Sequence, residues 1–322
     1  MTARLLADVG GTNARFAWQA GPGAEIGDVA VLPCADHATL ADAIAAYLAG
    51  LGRGTPADCA IAIANPVTGD QISMTNHHWA FSISALQAQC GFARLQVLND
   101  FTALALALPA LRADELQQVG GGTPVPGTAI ALIGPGTGLG VSGLVPDGRG
   151  GWVPLEGEGG HATLAGRTAR EQAVLLQLDA QYGHASGERA VSGQGLVDVY
   201  QALQQIDAPA QPQRPITAAG IVQGALDHNN AACLEAVDLF CAFLGTAAGN
   251  LALTLGARGG VYIGGGIVPR LGDNFAQSPF RARFEAKGRF DRYLAAIPVF
   301  VIRAVQSPAL LGAAAALDRD AR

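Results

Sequence analysis

The sequence predicts an α/β protein of two similar lobes, and three observations carry that prediction. The chain has 322 residues, a length more usual for two domains than for one. A pattern of strand, glycine-threonine turn and strand occurs over residues 5–18 and again over residues 129–145. Between them, residues 96–104 read as an apolar strand that leads directly into a helix. We therefore expect two α/β lobes, each offering one glycine turn to a shared ligand cleft.

Composition and charge exclude several kinds of protein. Half of the residues are hydrophobic, 14% are charged, and the 43 glycines are spread along the chain, as in a globular protein. A net charge of −6 without a long basic run argues against nucleic acid as the main partner. Acidic residues interrupt the densest basic stretch, which predicts a solvated helix face. This stretch comprises Arg281, Arg283, Lys287, Arg289 and Arg292.

Lys287 is the only lysine of the chain. The P-loop pattern of many nucleotide-binding proteins needs a lysine directly after its glycines, and none stands there. Protein-kinase catalysis and pyridoxal Schiff-base chemistry also depend on a lysine. The sequence therefore disfavours all three classes.

The remaining composition predicts a cytoplasmic protein without a membrane partner. The five cysteines lack the paired spacing of a zinc site, so we expect small buried side chains. Asp8 comes too early for the apolar core of a signal peptide. The uncharged run over residues 239–257 is long enough to cross a membrane, but glycines and polar residues interrupt it. A buried helix is the better interpretation.

The first glycine turn, Gly10-Gly11-Thr12-Asn13, is a candidate phosphate site. Its glycines allow backbone N–H groups to approach a phosphate closely, and Thr12 and Asn13 add side-chain donors. Asp8, just before the turn, is a candidate to hold Mg²⁺ through a water molecule. An ordinary hairpin turn is the alternative.

The second glycine turn, Gly136-Thr137-Gly138, follows a strand and precedes another. It predicts a second phosphate contact, so valine at Gly138 is expected to weaken the binding of a phosphate-bearing ligand far more than that of any other ligand. Residues 138–143 also match G-x-G-x-x-G, but weakly, because that motif must open a helix and this segment reads as a strand. Gly265 and Gly266 follow a third strand, where bare backbone can lie flat against a ring such as adenine.

Asp100 is the candidate catalytic base. It follows directly on the apolar strand 96–98, and ligands of α/β sheets bind outside the carboxyl ends of strands, near helix starts. The alternative is that Asn99 or Asp100 merely caps the following helix by accepting a backbone N–H.

A second polar cluster suits a polyol. Glu156, Glu158 and His161 lie in a glycine-rich loop, where two carboxylates and a neutral imidazole can bond several hydroxyl groups. A metal site or an exposed loop are the alternatives. Glu188, in a later loop, reads by itself as a surface residue. Earlier in the chain, the segment 120–127 resembles a linker, and a domain boundary near residue 110 fits.

Six segments in order resemble motifs of the bacterial glucokinases, within the hexokinase and actin-like ATPase superfamily, and the resemblance runs through nearly the whole chain. The related repressor and sugar-kinase group carries a Cys-rich zinc motif that has no counterpart here. The segments are Asp-Val-Gly-Gly-Thr-Asn-Ala-Arg (8–15), Met-Thr-Asn-His-His-Trp-Ala-Phe-Ser-Ile (74–83), Asn-Asp-Phe-Thr-Ala (99–103), Gly-Thr-Gly-Leu-Gly (136–140), Gly-Glu-Gly-Gly-His (157–161) and Gly-Gly-Gly-Ile-Val-Pro-Arg (264–270).

The resemblance implies a two-lobed actin-like ATPase fold, of ribonuclease H-like type, with a ligand cleft between the lobes. The small lobe would span residues 1–110 and be joined by a C-terminal helix at about 302–322, with the large lobe over 111–301. A homodimer is also implied. Alternatives are a sugar sensor without activity, a kinase for another hexose, and a nicotinamide enzyme.

The implied reaction is transfer of a phosphoryl group from ATP, with Mg²⁺, to the 6-hydroxyl of glucose, whose proton Asp100 would accept. The residues implied to hold the sugar are Asn99, Asp100, Glu158, His161 and Glu188. Those implied to contact ATP are Asp8, Gly10, Gly11, Thr12, Asn13, Gly136, Thr137, Gly138, Gly265 and Gly266.

Overall fold

The computed structural model describes residues 2–74, 77–210, 215–227, 230–304 and 307–319. Thr75 and Asn76 of the 74–83 motif, and residues 305–306 and 320–322 of the predicted C-terminal segment, lie outside the described residues. The chain divides into two compact units, one of residues 1–112 with 304–322 and one of residues 113–303. Each is described separately below.

The first unit is built on a mixed sheet of five described strands in the order β3-β2-β1-β4-β7. β1 pairs antiparallel with β2 and parallel with β4, and β4 pairs parallel with β7. In chain order the elements are β1 (Arg4–Val9), β2 (Asn13–Gln19), β3 (Ile26–Pro33), α1 (Leu40–Leu51), β4 (Asp58–Ile63), β5 (Gln71–Ser73), β6 (Ala80–Ser82), α2 (Ile83–Cys90), β7 (Arg94–Asn99) and α3 (Asp100–Ala107).

The second unit carries a sheet of six described strands in the order β11-β10-β9-β12-β13-β8. In chain order its elements are β8 (Leu116–Val119), β9 (Ile130–Pro135), β10 (Leu139–Pro146), β11 (Trp152–Gly157), α4 (Ala169–Tyr182), α5 (Gly187–Ala190), α6 (Gly193–Asp207), α7 (Ala218–Leu226), α8 (Ala231–Leu255), β12 (Val261–Ile263), α9 (Val268–Leu271), α10 (Asp273–Gln277), α11 (Phe280–Glu285), α12 (Asp291–Ala295) and β13 (Val299–Ile302). The last helix, α13 (Pro308–Arg319), belongs to the first unit.

The two sheets repeat one topology. In each, three sequential antiparallel strands are followed by two strands parallel to the first: β1, β2 and β3 with β4 and β7, and β9, β10 and β11 with β12 and β13. The central strands are buried on both faces, which explains why they read as nearly continuous apolar runs. In the first unit α13 covers one face, where Leu310, Ala313 and Leu317 pack on Leu6 and Ala60.

The helix ends follow local capping chemistry. Thr39 begins α1 and Thr168 begins α4, each in a reciprocal capping box with an acidic residue three positions later. Gly52 and Gly183 end these helices in the left-handed conformation that glycine adopts without strain. These signals are local, because each cap involves residues within a few positions of the helix end.

The long apolar helix α8 is a core helix. It is long and apolar enough to cross a membrane by length and composition, yet 67% of its most apolar window is buried inside the protein. Gly245 and Gly249 let α11 approach closely, because an added Cβ at either would collide with the backbone of Phe280 or Phe284. The prediction of a buried helix is therefore confirmed.

The expectation of a linker before the second glycine turn is wrong. Residues 120–127 are not a linker: Gly122 packs against the backbone of Ala296 and Ile297, and the Val125 N–H donates to Arg258 O at 3.0 Å. The strand β8, which pairs with β13, also precedes this segment and was not predicted. Contacts with residues more than 130 positions further along the chain fix the segment, so local composition could not reveal its packing.

The basic stretch is also not a solvated helix face as a whole. Arg281 donates to the carbonyls of Ile297 and Ala295 at 3.0 Å, and Arg283 makes two 2.7 Å bonds to buried Glu171. The sole lysine, Lys287, donates to Asn250 Oδ1 at 2.6 Å and Thr246 O at 3.1 Å. Three of the five cations therefore stabilise the unit's own structure, and only Arg289 and Arg292 are exposed.

Candidate active site

The first glycine turn joins β1 to β2 and is held through its carbonyl groups. The Gly10 N–H donates to Asn13 O at 3.0 Å and closes the turn. Cys34 lies behind it: its thiol donates to Gly10 O at 3.5 Å and its N–H to Thr12 O at 2.8 Å. Within the described part of the chain, the N–H groups of Gly11 and Thr12 donate to no backbone carbonyl. The anchored turn therefore keeps two backbone donors for a ligand.

Asp8 lies near the carboxyl end of β1, beside this turn. Its Oδ2 accepts hydrogen bonds from the Ser307 hydroxyl at 2.6 Å and from Arg15 Nη1 at 3.1 Å. The side chain is 22% exposed, so the carboxylate is held in place but still reaches solvent. Neither Ser307 nor Arg15 was singled out from the sequence, because each contact depends on the fold.

Asn99, not Asp100, caps α3. Its Oδ1 accepts from the N–H groups of Phe101 at 2.9 Å and Thr102 at 3.3 Å, and its Nδ2 donates to Asn65 O at 3.3 Å. Asp100 is the first helical residue and its Oδ1 accepts from the Phe101 N–H at 2.9 Å. The capping alternative therefore applies to Asn99, which leaves Asp100 with only a minor structural bond.

The half-buried carboxyl of Asp100 has a perturbed acidity. Burial is the main cause and raises its pKa to about 6, because the charged form loses hydration. The hydrogen bond from the Phe101 N–H acts in the opposite direction, and the negative charge of Asp8 raises the pKa again. The charge of Asp8, near the carboxyl end of β1, thus acts on the Asp100 carboxyl, which follows the carboxyl end of β7. A carboxylate with a pKa near neutrality suits a proton acceptor.

The second glycine turn joins β9 to β10. The Gly136 N–H donates to Gly138 O and the first N–H of α6, from Gly193, donates to Gly136 O, both at 2.8 Å. Glu188 on α5 accepts from the Leu139 N–H at 2.9 Å. Among the residues the structure describes, no backbone carbonyl accepts from the N–H groups of Thr137 or Gly138. This turn, like the first, keeps two donors.

Leu139 brings the predicted sugar residues of this unit close to the turn. The 3-10 turn Gly159–His161 packs on it, because an added Cβ on Gly160 would overlap Leu139 O. Gly187, at the start of α5, lies against the Leu139 side chain and Gly160 O. Glu158 and His161 are exposed, with Oε2 and Nε2 3.9 Å apart. The structure therefore gathers Glu158, His161 and Glu188 around one residue.

The glycines after β12 have different roles. Gly265 has a φ of +78°, and an added Cβ would overlap the backbone of Pro135, so this glycine is required by packing next to the second turn. Gly266 is exposed and an added Cβ would meet nothing within 4 Å, which leaves its backbone open to a ligand. The G-x-G-x-x-G match is excluded as a dinucleotide motif, because residues 139–143 lie in the strand β10 and open no helix.

The described residues contain no group of three or more His, Cys, Asp or Glu side chains that could hold a metal ion by themselves.

The predicted site residues form one group in each unit. The first unit collects Asp8, residues 10–13, Asn99 and Asp100 at the carboxyl ends of parallel strands. The second unit collects residues 136–138, Glu158, His161, Glu188, Gly265 and Gly266 around the end of β9.

Comparison with known proteins decides the family. The family model described as Glucokinase matches residues 5–320. A glucokinase of Aromatoleum aromaticum is 55% identical over 98% of this chain and 94% of its own length. The chain belongs to the glucokinase family. A glucokinase of Chromobacterium violaceum is 54% identical over 98% of this chain and 89% of its own. The predicted family and the predicted activity class, an ATP-dependent hexose kinase, are confirmed.

Longer members of the family also exist. The chain is 55% identical to the bifunctional protein glk of Burkholderia pseudomallei, of whose length it covers 48%. The similarity therefore extends to one half of that protein.

Solved structures confirm the fold. A glucokinase from an Antarctic psychrotroph has a TM-score of 0.89 and 34% identity, with 99% of both chains covered. A glucokinase of Balamuthia mandrillaris in complex with glucose has a TM-score of 0.79 at 22% identity, over 97% of this chain and 92% of that one. The second likeness concerns the fold alone. The predicted actin-like α/β ATPase fold of the glucokinase family is correct.

Proposed function

We propose that this member of the glucokinase family transfers the γ-phosphoryl group of ATP to the 6-hydroxyl of glucose, with Asp100 as the general base. The observation that carries the proposal is the placement of Asp100. It follows β7 at the carboxyl end of a parallel strand, and burial raises its pKa to about 6. A carboxylate of this kind is ionised at neutral pH and is basic enough to accept the hydroxyl proton as the phosphoryl group arrives.

The two glycine turns would bind the phosphates of ATP. Phosphoryl transfer passes through a loose transition state, so positioning and charge stabilisation matter more than covalent help. In each turn two backbone N–H groups have no backbone acceptor within the described chain. They are those of Gly11 and Thr12 in the first turn, and those of Thr137 and Gly138 in the second. Asn13 would add side-chain donors, and Gly136 and Gly10 would allow close approach, because an added Cβ there meets nothing nearer than 3.6 Å.

Five residues would hold the sugar, and their chemistry fits its hydroxyl groups. Glu158, His161 and Glu188 lie together in the second unit, and carboxylates accept hydrogen bonds from several hydroxyls. In the first unit Asp100 would bond the 6-hydroxyl. Asn99 has its Oδ1 engaged in capping α3, but its amide carries two N–H donors, of which Asn65 O takes one. The other can reach a hydroxyl oxygen.

ATP and Mg²⁺ are the proposed cofactors. Mg²⁺ prefers oxygen ligands and is usually held by one or two carboxylates, water and substrate phosphates. Asp8 fits this role, since its carboxylate is partly exposed and fixed by Ser307 and Arg15. When bound, Mg²⁺ neutralises charge on the phosphates. Gly266, with its open backbone, would border adenosine, and Gly265 would place it there.

The lobe assignment, the oligomeric state and the cellular location are also part of this proposal. We propose that the two compact units are the small lobe (1–110 with 302–322) and the large lobe (111–301). We also expect a homodimer, which sedimentation equilibrium of the purified protein would test, and a cytoplasmic location.

A coupled assay of ADP release with glucose, mannose and glucosamine tests the proposed reaction. Glucose should give the highest kcat/KM, and omission of Mg²⁺ should abolish turnover. A higher value for another hexose would assign the chain to that sugar. ATP and glucose binding without any ADP formation by folded protein would indicate a sugar sensor and contradict the proposed reaction.

A further inference from the structure

Glu188 contacts the second glycine turn, although the sequence offers it only as a sugar ligand. Its Oε2 accepts the hydrogen bond of the Leu139 N–H at 2.9 Å. The contact extends to the turn itself, because a Cβ added to Gly138 would overlap the same carboxylate. One side chain of the sugar cluster is therefore part of the support of the phosphate turn.

The backbone around Glu188 holds this carboxylate in place. The Ser186 hydroxyl caps α5 by accepting the Arg189 N–H at 3.3 Å, and the Gly187 N–H donates to Ala162 O at 2.9 Å. On the other side, α6 packs so closely that a Cβ on Gly195 would meet Glu188 O at 2.8 Å. Since the backbone is held on both sides of Glu188, its carboxylate extends from a fixed position to accept the Leu139 N–H.

We propose that Glu188 is a positioning residue that couples sugar binding to phosphate binding, an inference that rests on the proposed function. Its Oε2 fixes the turn, while the second oxygen can accept a sugar hydroxyl. A hydroxyl bonded there draws negative charge away from the turn, so the phosphates of ATP meet less repulsion. By linkage, ATP must then favour the sugar to the same degree.

Glu158 is the matched control. It belongs to the same sugar cluster and is also a glutamate, but it is exposed, and its Oε2 lies 3.9 Å from His161 Nε2. Within the described chain no hydrogen bond joins it to residues 136–139. Substitution of Glu158 should therefore affect sugar binding without altering the turn.

Calorimetry without sugar tests the positioning role. The measured quantity is the affinity of each variant for a non-hydrolysable ATP analogue in the presence of Mg²⁺. Glu188→Gln keeps an oxygen acceptor for the Leu139 N–H and should bind the analogue as tightly as the unmodified protein or more tightly. Glu188→Ala removes the acceptor and should bind at least roughly fivefold more weakly than Glu188→Gln. Glu158→Ala and Glu158→Gln should not differ. Comparing two neutral variants at each position cancels the effect of charge.

The coupling is tested by repeating the titrations with saturating glucose. Glucose should tighten analogue binding by roughly fivefold or more in the unmodified protein and in Glu158→Gln. In Glu188→Gln, which lacks the charge, the effect should fall below about twofold.

Each outcome decides one point. Equal analogue affinities of Glu188→Ala and Glu188→Gln would overturn the positioning role, and the absence of a glucose effect in the unmodified protein would overturn the coupling. Failure of the unmodified protein to bind the analogue would instead contradict the proposed use of ATP. If Glu188→Ala does not fold, Glu188→Asp replaces it: its shorter side chain keeps the charge but cannot reach Leu139, and unweakened binding would overturn the positioning role.

Discussion

The two glycine turns have similar sequences but are anchored by different chemistry. Cys34, a buried and uncharged side chain, holds the first turn through the carbonyls of Gly10 and Thr12. The second turn is held by the Gly193 N–H on Gly136 O and by the charged Glu188 on the Leu139 N–H. The glycines give each turn its freedom, but residues elsewhere in the chain decide which N–H groups remain for a ligand.

The neighbours of the two turns differ as well. Beside the first turn lies the pair Asp8 and Asp100, whose mutual repulsion contributes to the raised pKa of Asp100. Beside the second turn lies the carboxylate of Glu188, which is already bonded to the backbone. We infer that the first unit supplies the proton acceptor, whereas the second supplies the sugar contact that tunes phosphate binding.

The largest effect is expected from Asp100→Asn, which removes the proposed proton acceptor beside the first turn and leaves both turns intact. Because a general base typically contributes 10² to 10⁴ in rate, kcat should fall by roughly that factor. The amide oxygen can still accept the Phe101 N–H, so the melting temperature should stay near that of the unmodified protein. A folded variant that keeps most of its turnover would remove Asp100 from the mechanism.

Asn99→Ala is the matched control for this substitution, because Asn99 carries the cap of α3. Its loss should lower the free energy of unfolding by about 1 kcal/mol. Stability curves of the two variants on the same preparation separate capping from proton transfer.

Gly138→Val should weaken the binding of both substrates, with an effect second only to Asp100→Asn. From sequence alone this substitution was expected to affect ATP far more than glucose. The structure changes that expectation, because a side chain at Gly138 would displace the Glu188 carboxylate. Calorimetric titrations with glucose and with an ATP analogue check this, and unchanged glucose affinity would show that Glu188 takes no part in sugar binding.

The pH dependence of kcat/KM distinguishes the carboxylates beside the two turns. This ratio reports ionisations of the free enzyme, and a base with a pKa of about 6 loses activity as pH falls through that value. Asp8→Asn removes a negative charge that raises the pKa of Asp100, so the inflection should move to lower pH. Glu188→Gln should leave it in place. An inflection that does not move in Asp8→Asn would contradict the coupling of the two carboxylates.

The smallest effect is expected at the neutral anchor. Cys34→Ala removes the thiol donor to Gly10 O, a loss worth about 0.5 to 1.5 kcal/mol, and should raise the KM for ATP by roughly twofold to tenfold. Cys34→Ser keeps a donor of similar size and should raise it less. The KM for glucose should not change in either variant. Equal KM values for ATP in all three proteins would mean that the thiol does not position the turn.

Much of this architecture follows from local sequence. The strands on each side of both turns and the helix that starts directly after the strand 96–98 were predicted, because alternation and glycine act over a few positions. The repeated strand-turn-strand pattern predicted two similar α/β lobes, and the two sheets repeat one topology.

The features that the sequence did not predict depend on contacts between residues far apart in the chain. Glu188 lies 49 residues from Leu139 and Ser307 lies 299 residues from Asp8, so neither partnership leaves a local signal. Cys34 is a lone cysteine whose thiol matters only because β3 ends behind the first turn. The segment 120–127 has the composition of a linker, yet the backbone near Ala296 fixes it.

The most direct test of the account is a crystal structure with glucose, Mg²⁺ and a non-hydrolysable ATP analogue. The account predicts phosphate oxygens within hydrogen-bond distance of backbone N–H groups in both turns, at Gly11 or Thr12 and at Thr137 or Gly138. It also predicts the 6-hydroxyl of glucose on the Asp100 carboxylate. Phosphates that contact neither turn, or a 6-hydroxyl remote from Asp100, would contradict it.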